Sequence, residues 1–433
     1  MSKKVLLALG IAVVVLVLVL AWLLRTFVGQ VRQVNLVYWG LWEDQAVISD
    51  LINEFQRRHP NVKITFLRQG QINYRERVTN ALQRPGGTDI VRIHSTWLPM
   101  FKNLVSSVPE DTLAQSEFQR IFYPAHFEDL ILGGKILAIP LEIDGLVLFA
   151  NEDLLNQAGV SPVENWEEFR DQVQRLTVRD DRGRITTAGA ALGAVSNVDH
   201  WQDILSLMFY QNGADIQDPR GGVAAGALNF YTDFVTKIVV WDETLESSTE
   251  AFARGKVAYY FGPTWRYFNI KELSQDSGLR FRIVPVPQLQ GEKVNVASYW
   301  AEAVSAKSPN QKEAFEFLKF LVAKENLVKL YTAQTKQREF GEPYSRLDLK
   351  DTLTADPNLG PFIQDAQTAK SSYLASFTWD GSTGINSRVS KYYEDAVNSV
   401  LRGGDAASAL ETVDQGMQQV LGDYGLTSSA SGL

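Results

Sequence analysis

Along this chain the spacing of apolar positions switches between the period of a strand and that of a helix, and the switches mark its elements. Val34-Asn35-Leu36-Val37-Tyr38-Trp39 is rich in β-formers and reads as a strand. From Ala46 to Arg58, the residues Val47, Ile48, Leu51, Ile52 and Phe55 recur at helical spacing, and His59-Pro60-Asn61 stops the helix. Val62, Ile64 and Phe66 then alternate with Lys63 and Thr65 as a second strand. Tyr74, Val78 and Leu82 predict another helix, ended by Pro85-Gly86-Gly87, and Asp89–Ile93 a third strand. Strand, helix, strand, helix, strand predicts an α/β lobe with a largely parallel sheet.

The stretch from Gly133 to Asn151 is organised differently. A Gly-Gly turn opens an extended apolar run whose only acids are Glu142 and Asp144, on one face by period-2 alternation. After Gly145 that face continues as Leu146 and Leu148, so the polar stripe stops. A strand that begins at a wet cleft and ends in a second core has this pattern, which predicts a crossing between two lobes.

Beyond it the alternation resumes. Asn165 with Glu168 forms a capping-box arrangement before a helix that buries Trp166, Phe169, Val173 and Leu176. Asp180–Arg184 is a polar hairpin-like turn, and His200–Gln211 a buried helix. Phe281–Pro287 is extended, its prolines keeping it at an edge or in a crossover. Ser308-Pro309 predicts a cap and first turn for a helix buried through Phe315, Leu318, Leu321 and Val322. Two last helices span about 387–401 and 406–421, before a Ser/Gly-rich end expected to be disordered.

Length and composition narrow the classes. At 433 residues, the chain exceeds one core and implies two lobes or domains. A net charge of −8 without a basic block argues against nucleic acid as partner. With no cysteine there is no disulfide, thiolate metal site or thiol nucleophile, and the four histidines lack metal-ligand spacing. No metal or other cofactor is expected. Residues Val5–Leu24 form an uncharged run flanked by Lys3-Lys4 and Arg25, long enough at about 1.5 Å per residue to span about 30 Å. No small-residue cleavage site follows, so residues 1–33 read as a transmembrane anchor and spacer with a cytoplasmic N-terminus; a cleaved signal peptide is the alternative.

The order of segments resembles the extracellular solute-binding proteins of ABC importers, in the sugar-binding, maltose-binding-protein-like branch. Phe55–Ile64 resembles the family's opening, and Gly87-Thr88-Asp89-Ile90-Val91 its Gly-x-Asp-Ile/Val-Val element, with Thr88 where proline is usual. The Gly133–Asn151 stretch, continuing through Leu155 and Ala158-Gly159-Val160, resembles its first lobe crossover. Trp166–Phe169, Phe252–Ala258, Gly262–Trp265 and Ala314–Leu321 resemble four further signatures. The resemblance implies a two-lobed periplasmic-binding-protein fold of type II, with hinge crossovers near 143–145, 298–300 and 356–357. Lobe one would hold 34–143 plus 300–356, and lobe two 146–298 plus 358–433. Carbohydrate would bind between the lobes and pass to permease subunits in the membrane, the body lying outside the cell.

Ten tryptophans supply the candidate chemistry, because a flat indole packs on the C–H face of a pyranose while polar groups take its hydroxyls. Trp166 and Trp241 read as core. Trp39 and Trp42 flank the carboxyl tip of the first strand and Trp97 follows the third, where ligands of open α/β sheets gather. Trp265 follows Gly262-Pro263 at a family stacking position, Trp300 sits at the second crossover, and Trp379 lies in a loop. About half of these six are expected to touch solute, since most aromatics are core. Asp144 stands where the resemblance places a hydroxyl-accepting carboxylate, with a turn acid as the plain alternative. Glu43 and Asp44 are either ligand contacts or charges at a helix N-terminus. His200 and Trp201 open a helix facing the cleft, with a helix cap as the equal alternative for His200.

The leading expectation is therefore a receptor with no catalytic activity. A glycosidase using Glu142 and Asp144 is the competing class: residues two apart on a strand lie about 7 Å apart, within the span of inverting pairs, but both come from one side. The same scaffold with a polyamine, phosphate-ester or peptide solute, or a receptor without a permease, are further alternatives.

Overall fold

The computed structural model describes residues 10, 12–19, 32–289, 291 and 293–426. Within Val5–Leu24, the described residues are helical; the rest of the expected anchor, most of the spacer and the Ser/Gly-rich end lie outside the described residues. Among the described residues, no helix is long and apolar enough to cross a membrane.

The body begins β1 (Val34–Gly40), α1 (Gln45–Arg58), β2 (Val62–Arg68), α2 (Tyr74–Gln83), β3 (Ile90–His94). Asp44 caps α1 by accepting from the Ala46 N–H at 2.8 Å, and the helix buries the five apolar residues of its stripe. Asp89, just before β3, accepts the Val37 N–H at 2.8 Å, tying the start of β3 to β1. After β4 (Ile139–Pro140) the chain enters β5 (Leu146–Asn151), then α3 (Trp166–Leu176), β6 (Val178–Arg179), β7 (Ile185–Ala190), α4 (Trp201–Gln211) and α5 (Gly221–Thr236). Next come β8 (Val257–Pro263), α6 (Arg266–Leu273), β9 (Phe281–Val284), β10 (Asn295–Val296), β11 (Trp300–Val304), α7 (Gln311–Leu321) and α8 (Lys324–Thr335). The described part ends with β12 (Ala369–Lys370), α9 (Ile385–Leu401) and α10 (Ala406–Asp423).

These strands form two five-stranded sheets, β2-β1-β3-β11-β4 and β9-β5-β8-β7-β6, the centres of two α/β lobes. In the first, β1 runs parallel to β2 and β3, while β11 runs antiparallel to β3 and β4. The second mixes a parallel β7–β8 pair with antiparallel neighbours. A two-stranded ribbon, β10 beside β12, lies outside both sheets. The chain passes between the sheets at residues 141–145 and 297–299, and returns after α8 and a 3-10 turn at Leu347–Thr352 to reach β12. Gly145 bridges Ala297, so two of the passages lie side by side.

Two local expectations are corrected. The acid-bearing stretch is not one continuous strand: 139–140 belongs to the first sheet, 146–151 to the second, and the residues between them are irregular. The crossing itself breaks the pleat there. Ser308-Pro309 does not start α7, which begins at Gln311. The Ser308 hydroxyl instead donates to Asp89 and accepts the Asn310 N–H at 3.0 Å, a tertiary tie that a local capping rule does not register.

Candidate ligand site between the lobes

Strand polarity decides what meets at the cleft. The carboxyl end of β3, at His94, pairs with the amino end of β11, at Trp300. The carboxyl end of β8, at Pro263, pairs with the amino end of β5, at Leu146. The loops leaving these ends enclose a cavity of about 310 Å³ between the lobes.

One wall is aromatic. Trp42, from the loop after β1, packs edge-on against Trp300 with ring centroids 5.3 Å apart, and Trp379 lies 5.8 Å from Trp300. Trp265, Phe268, Phe340 and Phe377 continue the apolar lining. The Arg266 guanidinium lies over both Trp265 and Phe377, at 4.6 and 4.3 Å from the ring centroids.

The polar groups are mostly acids. Asp144 accepts from the Gly145 N–H at 2.7 Å and the Thr264 hydroxyl at 2.8 Å. Burial nevertheless pushes its carboxyl up to about 7, against those donors. Glu142 reaches the Trp300 N–H at 3.4 Å, and burial followed by the Glu342 charge raises it well above the usual carboxylate range. Burial would raise Glu342 too, but the Arg92 and Arg338 guanidiniums hold it low, so the two facing acids share the first proton as a pair. Trp42 donates its indole N–H to Glu342 at 3.2 Å, which fixes one aromatic wall to the acid beside it. His94 is held between Thr96 and Ser298 hydroxyls, and burial lowers it to about 3, so its imidazole is neutral.

Behind this wall Arg92 sits buried among three acids. Its Nε donates to Glu302, directly opposite on β11, at 2.8 Å; its Nη1 donates to Glu43 and lies 4.0 Å from Glu342. Tyr38 donates to Glu302 at 2.7 Å.

Of the ten residues singled out from sequence, Trp42, Asp144, Trp265, Trp300 and Trp379 line this one cavity. Trp39 projects from β1 away from it, half-buried between Leu67 and Val91 in the sheet register. Trp97 is fully buried, stacked on Phe101 and edge-on to Trp300, so it backs the wall without reaching the cavity. Glu43 is spent on Arg92 and Asp44 on the α1 cap. Trp201 lines a separate groove on lobe two. Strand-end position alone could not separate the indoles of the wall from those behind it.

Residues 50–361 match the family described as bacterial extracellular solute-binding protein. That span is most of the chain. The chain belongs to the bacterial extracellular solute-binding proteins. It is 24% identical over 315 residues, 69% of this chain and 72% of the other, to a probable ABC transporter-binding protein of Deinococcus radiodurans. It is 21% identical over 317 residues, 67% of this chain and 69% of the other, to the galactooligosaccharide-binding protein of Bacillus subtilis. Its fold is similar to a cyclo/maltodextrin-binding protein solved with maltotetraose, at TM-score 0.72 and 17% identity, covering 89% of this chain and 97% of that one.

In this solute-binding protein the sequence reading missed Glu342, Arg338 and Phe340, which reach the cavity from a turn after α8. Their signal was available: Arg338-Glu339-Phe340-Gly341-Glu342-Pro343 is a Gly/Pro-punctuated segment with charges flanking an aromatic. His94, Asp203, Thr264, Phe268 and Ser376 were missed as well, because single polar or aromatic residues at element ends carry no spacing pattern.

Proposed function

We propose that the protein is an extracytoplasmic receptor that captures a neutral sugar or short oligosaccharide in the interlobe cavity and presents it to an ABC permease. The observation that carries this is the Trp42–Trp300–Trp379 wall facing the carboxyls of Glu142, Glu342 and Asp144. Indoles pack on the apolar face of a sugar ring, and carboxyls accept its hydroxyls. The maltotetraose bound to the similar cyclo/maltodextrin-binding protein and the galactooligosaccharide bound by the Bacillus subtilis relative support the same reading. Val5–Leu24 serves as the uncleaved anchor, with the solute-binding body outside the membrane.

Turnover is not part of the role. Ser376, His200 and Asp203 come together, but Ser376 at 2.7 Å and Asp203 at 3.3 Å both reach His200 Nδ1, while Nε2 accepts from Arg266 at 2.7 Å. A Ser–His–Asp relay needs nucleophile and acid on opposite ring nitrogens. Glu142 and Asp144 belong to one crossing segment rather than to opposite sides of a scissile bond.

A second reading keeps the cavity and changes the solute. Four acids and several aromatic faces line it, with Arg338 as the cationic side chain among them, a chemistry that suits an ammonium ligand. A thermal-shift screen of mono- and oligosaccharides beside polyamines separates the two. Ligand at about 100 times its Kd adds about 2.7 kcal/mol of stability. Stabilisation by polyamines and by no sugar would replace the first reading with the second.

A further inference from the structure

The loop Phe377–Gly381 is a partition with room on both sides. Phe377 and Trp379 line the inner cavity and also a second groove of about 500 Å³ on lobe two. The other sides of that groove are the start of α4, at Trp201 and Gln202, and one face of α9 carrying Ser387, Ser390, Lys391 and Glu394.

Phe377 and Trp379 both hold left-handed backbone, with φ of 53° and 48°. Bulky side chains seldom adopt it, and each such residue costs of the order of 1 kcal/mol or more. The strain is held in place from within the groove wall: Asp380 accepts the Asn386 N–H at 2.6 Å and the Ser387 hydroxyl at 2.6 Å, tying the loop to the first turn of α9. The strained conformation places two aromatic side chains on the boundary between two cavities.

The groove also holds one buried polar atom without a partner. Gln202 Oε1 is buried with no hydrogen-bond donor. Of its charged side chains, Lys391 and Glu394 lie 3.6 Å apart and offset one another, while the buried Asp380 carboxyl is taken up by the Asn386 N–H and the Ser387 hydroxyl. An aromatic floor at Trp201, hydroxyl and amide walls and no net fixed charge from that pair match an uncharged polyol better than an anion or cation.

We propose that this groove is an outer subsite for the continuing rings of an oligosaccharide, whose first rings fill the inner cavity and whose chain passes over Trp379. The inference rests on the carbohydrate reading above and deepens it. The site would then prefer tri- and longer saccharides to the mono- and disaccharides that the inner cavity alone can hold.

The test is titration calorimetry of the full protein with a length series of one neutral sugar, from mono- to pentasaccharide, in wild type and in Ser390→Trp. Ser390 faces the outer groove and lies outside the inner lining, so the added indole fills the groove without touching the inner cavity. Wild type should gain tenfold or more in affinity on going from di- to tetrasaccharide. Ser390→Trp should lose that gain while binding the disaccharide as wild type does, which also shows that it is folded. Gln202→Ala should reduce the same gain by severalfold. Equal affinity across the series, or a length gain untouched by Ser390→Trp, overturns the outer subsite and leaves the inner site standing. No binding of any saccharide removes the carbohydrate reading and this inference together.

Discussion

Trp42, carried by lobe one, packs its ring 5.9 Å from that of Trp379, carried by lobe two. The pair spans the mouth of the cavity, and Trp300 at the passage between the lobes touches both. Residues on different lobes meet elsewhere too. Tyr267 of α6 donates to Glu339 at 2.6 Å, and Phe268 lies 4.6 Å from Phe340. The cavity is therefore seen with its lobes in contact, the arrangement that hinge closure produces.

Those contacts are the ones that opening of the lobes would break. Phe340→Ala removes the aromatic contact with both Tyr267 and Phe268. Small-angle scattering of the unliganded variant should give a larger radius of gyration than wild type, with weaker ligand binding. An unchanged radius would mean that these rings do not hold the lobes together.

Arg92 is the sole counter-charge to Glu43 and Glu302 among the described residues, deep in lobe one. Arg92→Met leaves those acids uncompensated, and breaking such a buried pair costs about 3–5 kcal/mol. Urea unfolding should show that loss. A variant as stable as wild type would show that the acids are already protonated around it.

Asp144 gives stability a pH signature. Burial raises its folded value to about 7, above the unfolded value of about 4. The folded state thus binds the extra proton, and its contribution is fully present below pH 4 and is lost as pH rises through 7. Asp144→Asn is isosteric and does not titrate. The stability of wild type relative to Asp144→Asn should fall between pH 4 and 7 and level off above. A flat difference across that window would place the ionised carboxylate comfortably in the unliganded cleft.

Gly145 has no room for a side chain. A Cβ there would stand 2.0 Å from the Val296 carbonyl oxygen and 2.4 Å from the Phe362 ring. Gly145→Ala should lose about 1–3 kcal/mol, read by urea unfolding. Gly222→Ala, where a Cβ meets nothing, is the control. Equal stability of the two variants would show that the passage can relax around a methyl group.

How much of this was legible beforehand depends on what each pattern measures. The α1 stripe and the Asn165 cap, whose side chain accepts the Glu168 N–H at 2.9 Å, are local, and periodicity reads them directly. The break in alternation after Asp144 correctly marked a change of surroundings, since Leu146 opens a strand of the other sheet. Which tryptophans form the wall was not local information. Trp97 and Trp300 are neighbours 5.2 Å apart, yet one is enclosed and the other faces the cavity. Glu342 is 200 residues from Glu142 in sequence, and only the fold brings the two acids together.

The most direct measurement is titration of the protein with neutral di- to tetrasaccharides, followed by intrinsic tryptophan fluorescence. The account predicts a saturable change for at least one sugar, with Trp379→Ala weakening it at least tenfold, about 1.4 kcal/mol. Saturation by no sugar, or binding indifferent to Trp379→Ala, would contradict it.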